Sequence, residues 1–154
     1  MHKKVLLFVL FLGLFNLDVA AQTAYEYKII TTVESIVPMG VGRSRIVEFN
    51  VPMDYKKATT TRNKANKFKQ NKTKRKDLKI SSFNETKLLN FYSMVGINFQ
   101  NIASNDALVS SKLTEMSKDG WELFAVTSGV ESDAGKDDGK GIFITRYIFR
   151  RPLQ

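Results

Sequence analysis

From residue 25 to residue 34 the chain alternates: Tyr25, Tyr27, Ile29, Thr31 and Val33 fall on one side, Glu26, Lys28, Ile30, Thr32 and Glu34 on the other. Period-2 patterning with β-branched and aromatic residues predicts a half-buried strand. Pro38, Met39, Gly40 and Gly42 signal a turn, and residues 43–51 alternate again with Val47, Phe49 and Val51 on one side. Pro52 limits that strand, so the two segments are expected to form a hairpin with a long connection. Residues 84–95 are ambiguous. Leu88, Leu89, Tyr92 and Val95 fit a helical face that Asn84 could cap and Gly96 could end, yet the same stretch is aromatic enough for a strand; a short helix is the favoured reading. Residues 96–104 read as irregular or as a short edge strand. The clearest helix spans residues 106–119, with Ser104 or Asn105 as its cap, Leu108, Val109, Leu113 and Met116 on one face, and Gly120 at the left-handed position past its end. Residues 121–131 then form a strand that is apolar on both sides, as expected of a strand inside a sheet. A polar loop follows over 132–140. The last strand, 141–151, sets Phe143, Thr145, Tyr147 and Phe149 on one face and Ile142, Ile144, Arg146, Ile148 and Arg150 on the other. The pattern predicts an α+β fold: a small, mostly antiparallel sheet of about four strands with one main helix packed on a face.

Two stretches stand outside this pattern. At the front, His2, Lys3 and Lys4 precede an apolar run over residues 5–15, and Val19, Ala20 and Ala21 place small residues before Gln22. This is the layout of a secretory signal peptide cleaved after residue 21. Asn16 and Asp18 stop the run well short of the roughly 20 apolar residues that a spanning helix needs. The expectation is a chain exported to periplasm or medium, with residues 22–154 forming one domain.

The second is residues 56–79. The chain's formal net charge is +9, and loss of Lys3, Lys4 and Asp18 with the leader leaves +8. Residues 56–79 hold eleven Lys and Arg against one Asp, so the rest of the mature chain carries −2. The body is therefore slightly acidic and bears one basic insert. Only Phe68 and Leu78 are sizeable apolar residues there. Too little apolar surface to offset ordering, together with like-charge repulsion, predicts a disordered, mobile loop. Lys64, Lys67, Lys69, Lys72, Lys74, Arg75 and Lys76 are its candidate anion-binding residues. On an exported protein the fitting partners are anionic lipid, acidic glycan or an acidic protein surface; nucleic acid is possible electrostatically but does not suit the location, and only Phe68 could stack on a base. The alternative is a solvated spacer.

Composition narrows the chemistry. The chain has no cysteine, which excludes disulfides, thiolate metal sites and a cysteine nucleophile. Its one histidine, His2, leaves with the leader, so the mature chain lacks the Ser-His-Asp constellation. Glu131, Asp133, Asp137 and Asp138 with Gly135 and Gly139 raise a calcium reading, but the spacing is not that of an EF-hand and Lys136 and Lys140 intervene. Gly40 to Arg45 hints at an anion site and lacks the phosphate-loop signature. No catalytic residue, cofactor or metal site is assigned.

The opening Glu26-Tyr27-Lys28-Ile29, the helix running into Gly120-Trp121-Glu122-Leu123, and the closing Arg146-Tyr147-Ile148-Phe149-Arg150-Arg151 resemble a family of small bacterial domains of unknown function. Those domains open with an E-Y-K-V strand, pass from helix to strand through G-W-E-L, and close on an aromatic strand ending in Lys or Arg. The resemblance implies a β-α-β-β sheet with the helix on one face. It covers about a third of the chain and implies no catalytic residues; this chain departs from the pattern by inserting residues between the first strand and the helix. Independently of it, Gly120 stops the helix so that Trp121 can cover the seam between helix and sheet. The expected function is an exported, non-enzymatic binding or assembly module with a basic loop. The rivals are a small envelope enzyme using carboxylates such as Glu122 or Glu131, and a structural protein self-associating through a sheet edge.

Overall fold

The structure, a computed structural model, describes residues 23–35, 44–62, 68–69, 73–131 and 141–153. Its frame is a five-stranded antiparallel sheet in the order β5-β2-β1-β9-β8. The strands are β1 (Tyr25–Ser35), β2 (Arg45–Phe49), β5 (Phe83–Lys87), β8 (Glu122–Val130) and β9 (Ile142–Pro152). The long central pair sets the register, with Ile30 opposite Tyr147 and Thr32 opposite Thr145. Two short pairs lie outside the sheet: β3 (Thr61–Arg62) with β4 (Phe68–Lys69), and β6 (Tyr92–Ser93) with β7 (Gly96–Ile97). One helix, α1 (Phe99–Lys118), packs on the sheet. The α+β class and the antiparallel sheet with one main helix follow the sequence reading, with one strand more than the four expected.

Alternation decides which face the helix takes. Ile30 and Thr32 of β1, Ile46 and Glu48 of β2, and Phe149 of β9 are buried, and pairing places them on one side of the sheet. Met116 of α1 joins Ile30, Ile46, Phe149 and Leu88 in the core, and Val109, Leu113, Trp121 and Tyr147 pack against them. Trp121 therefore lies at the helix–sheet seam, with the Arg151 guanidinium 4.4 Å from its ring centre. Gly120 has φ +80°, the left-handed value that ends a helix cheaply only at glycine. The Trp121 amide then donates to the Met116 carbonyl at 3.0 Å, turning the chain directly into β8.

Three expectations are corrected. Residues 84–95 are not helical: residues 83–87 form β5, whose five residues pair with all five of β2. A helix there would leave the backbone of β2 open on that edge, and pairing overrides the local preference. Gly96, at φ +122°, belongs to the β6–β7 turn and not to a helix end. Second, α1 begins at Phe99, two turns earlier than expected, because Asn98 is the cap; its Oδ1 accepts from the Asn101 amide at 3.1 Å. Third, among the described residues β8 pairs with β9 alone and lies at the sheet edge, so its two-sided apolar pattern does not mark the sheet interior.

Asn105, expected as a cap, is fully buried inside α1. Its Nδ2 donates to the Leu89 carbonyl and its Oδ1 accepts from the Leu89 amide, both at 2.8 Å. The side chain thus satisfies both backbone groups of a residue that leaves the sheet, and it fixes the helix against the end of β5.

Candidate interaction surface

The helix covers only one side of the sheet. On the other side pairing lines up Tyr27, Ile29, Thr31 and Val33 of β1 with Arg150, Ile148, Arg146 and Ile144 of β9. Val47 and Phe49 of β2 continue this face, and Phe49 sits opposite Phe83 of β5. Ala125 and Thr127 of β8 extend it on the far side, opposite Ile148 and Arg146. A bulge between Leu123 and Ala125 turns Phe124 onto the same side, where its ring meets Tyr27 edge-on at 6.1 Å. Tyr27 is 55% exposed, Phe124 51%, Phe83 46% and Ile29 39%. Contiguous exposed apolar area of this kind marks interaction sites in soluble domains.

Charge on this face is ordered. At one end Arg150 bonds Glu122 through Nε at 2.9 Å and Nη2 at 3.2 Å, and its guanidinium lies 4.5 Å from the Phe124 ring centre and 4.8 Å from that of Tyr25. The Arg150 hydrogen bonds hold the Glu122 carboxyl below its usual range. Glu122, a candidate base in the enzyme reading, is thus an exposed member of an ion pair. At the other end Arg45 Nη1 bonds both Glu85 oxygens at 2.7 and 2.8 Å, and with Ser44 and Lys87 this pair lines a cavity of about 240 Å³. Between the two pairs Arg146 stands exposed, with no hydrogen bond or ion pair among the described residues.

The covered side holds the buried charges. Glu48 accepts from Lys28 and, at 3.0 Å, from Lys112 of α1. Burial pushes its carboxyl up, but the two ammonium groups bonded to it outweigh burial and hold it below the ordinary range. Lys112, desolvated in turn, is nonetheless raised by its bonds to Glu48 and Glu115. Glu34 accepts from Asn105 Nδ2 at 3.3 Å; burial raises its pKa, with the Asp106 charge adding to it. Burial and then the Glu34 charge raise Tyr147 as well. Glu34 with Asn105 and Glu48 with Lys112 tie α1 to the sheet at two points along the helix.

Residues between β2 and β5 form an arm. Its described residues hold two single-turn 3-10 helices, Tyr55–Ala58 and Arg75–Leu78, and the β3–β4 pair. Thr73 Oγ1 donates to the Lys57 carbonyl, so the outgoing and returning halves run side by side. Of the candidate anion-binding residues, Lys74, Arg75 and Lys76 are exposed at the second 3-10 turn, and Lys69 lies in β4. Lys64, Lys67 and Lys72 lie outside the described residues, as do the leader, residues 40–43 and the acidic loop apart from Glu131. Among the described residues no group of His, Cys, Asp and Glu could hold a metal ion, and no helix is long and apolar enough to cross a membrane.

Sequence reading missed the open face. The signal was present: β1 and β9 carry apolar residues on both sides, and one helix covers only one. No family model, curated protein or solved structure matches the chain.

Proposed function

We propose that the chain is an exported, non-enzymatic binding module that docks a partner on its open sheet face and uses its basic arm to contact anionic surfaces. One observation carries the reading: a single-layer sheet whose uncovered side exposes Tyr27, Ile29, Phe83 and Phe124 together. A sheet face of that composition is stable in water only at a cost of roughly 25 cal/mol per Å² of apolar surface left uncovered, which a docked partner recovers. The non-enzymatic part rests on a mature chain without His or Cys and on the pairing of Glu122 with Arg150. Export rests on the charged, apolar and small-residue order of residues 1–21. The leading charge, +10 over residues 56–79, supports the role of the arm.

Site-directed photocrosslinking in exporting cells tests this. A photoreactive residue at position 27 or 124 should give a discrete adduct, whereas one at position 107, on the exposed side of α1, should not. Equal labelling at all three positions, or none at 27 and 124, overturns docking on this face.

A further inference from the structure

The open face has a layout that specifies its occupant. Arg146 sits at its middle, with Thr31 of β1 and Thr127 of β8 as its cross-strand partners. On one side of this row lie Ile148 and its neighbours Ile29 and Ala125; on the other lie Ile144 and Val33. A cation flanked by two hydroxyl groups therefore interrupts the apolar middle of a face whose other charges lie at its ends. Cross-strand neighbours have Cβ atoms about 5 Å apart, so one planar anion can reach the guanidinium and a hydroxyl together.

Covering this face with a purely apolar surface would bury Arg146 without a counter-charge, which costs far more than the apolar contact gains. A bilayer fits poorly for the same reason: it wants apolar residues at the centre of the face, and here a cation without a counter-charge stands there. A second copy centred on the same face would set one Arg146 against the other. The remaining charges do not supply the missing anion, because Glu85 and Glu122 are already bonded to Arg45 and Arg150. The size suits a protein. With β1 and β9 of 11 residues and five strands, the face measures at most about 36 by 24 Å. Narrowed at the short β2 and β5, that is on the order of 650 Å², close to the ~800 Å² per partner of a standard interface.

We infer that the open face binds a protein segment in which a carboxylate is flanked by apolar residues, the carboxylate bonded to Arg146 between Thr31 and Thr127. The inference rests on the docking reading above and adds the chemistry of the partner. Arg146 is the specificity-determining residue, and the isoleucines and phenylalanines supply the area.

A random peptide-display library panned on the immobilised mature chain tests it, with Arg146→Glu, Arg146→Gln and Ile29→Asp panned in parallel and the fold of each checked by circular dichroism. The native chain should enrich peptides with Asp or Glu between apolar residues. Arg146→Gln should weaken the best of these at least tenfold, and Arg146→Glu should switch enrichment to Lys or Arg. Apolar peptides that need Ile29 but ignore Arg146 overturn this inference and leave docking standing. Peptides indifferent to Ile29 and Arg146 alike overturn both. Binding to phosphatidylglycerol vesicles that Arg146→Gln abolishes would assign the cation to lipid, and a dimer that Ile29→Asp dissolves would assign the face to a second copy; either overturns the inference.

Discussion

Glu48 shows how one side chain can decide the pH response of this fold. It is 8% exposed and bonded to Lys28 of β1 and Lys112 of α1, so it links two strands and the helix. Its carboxyl lies below the ordinary value in the folded chain, the two ammonium groups outweighing burial. A carboxylate with a depressed pKa stabilises the fold above its unfolded pKa, and that contribution is lost as pH falls through the folded value. Glu34 acts in the opposite sense. Burial raises its pKa, so the folded state holds its proton more tightly, and its carboxylate opposes folding as pH rises through the raised value. Glu48→Gln should cost about 1.5–3 kcal/mol at neutral pH, the range for a hydrogen bond to a charged group, because two lysines lose their counter-ion. The same variant should lose less stability than the native chain between pH 4.5 and more acidic values. Urea unfolding across pH checks both; an unchanged acid limb in Glu48→Gln would place the sensitivity elsewhere.

Elements with a strong local periodicity or stop signal were legible, and those set by distant pairing or by a capping side chain were not. β1, β9 and the end of α1 stand out because alternation, helical spacing and Gly120 are local signals. Gly120→Ala should cost only about 1 kcal/mol, since an added Cβ meets nothing within 4 Å and the strain is that of the backbone at φ +80° alone. A melting curve of that variant measures it, and a much larger loss would mean the junction carries tertiary strain. β5 failed to show because the apolar residues at 88, 89, 92 and 95 mimic helical spacing, while what fixes residues 83–87 is the unpaired edge of β2. The first two turns of α1 were hidden by Asn98 and Asn101, poor helix formers that serve as cap and as a clamp on the Asn90 carbonyl. Of the candidate site, the exposed lysines at 74 and 76 were legible from charge. The open face was not, because alternation tells that a strand has two faces but not how many layers will cover them. Arg146, read as one member of a row of the last strand and as the start of its closing motif, takes on a role in the proposed docking through Thr31 and Thr127, which its own stretch of sequence does not contain.

At the scale of the whole molecule, the register predicts that the basic arm can be cut from the sheet, and where. Phe49, the last residue of β2, is the pairing partner of Phe83, the first of β5. Everything between them is therefore one long excursion from a hairpin whose ends already meet, closed at its base by the 2.9 Å bond from Asn50 Nδ2 to Asn84 Oδ1. Among the described residues, the arm contributes none to the core. A two-residue Asn-Gly turn is the connection that such a pair accepts, so residues 50–82 should be replaceable by it without breaking the β2–β5 ladder. Shortening the loop by about four halvings lowers the closure cost by roughly 2 kcal/mol, which offsets the lost contacts within the arm. The expected melting temperature is equal to or above that of the native chain. Charge moves decisively: residues 50–82 carry eleven Lys and Arg against Asp54 and Asp77, so the mature chain goes from +8 to −1. Attraction to phosphatidylglycerol vesicles or heparin should disappear with the arm. In the native chain it should weaken steeply with salt, as the Debye length contracts from about 10 Å at 0.1 M to about 3 Å at 1 M. Binding of carboxylate peptides at Arg146 should survive the replacement, since that row lies on β1, β9 and β8 and the arm leaves from β2. An arm-less chain that fails to fold would make the excursion part of the framework; one that folds and still binds vesicles with the same salt dependence would move anion binding from the arm to the body.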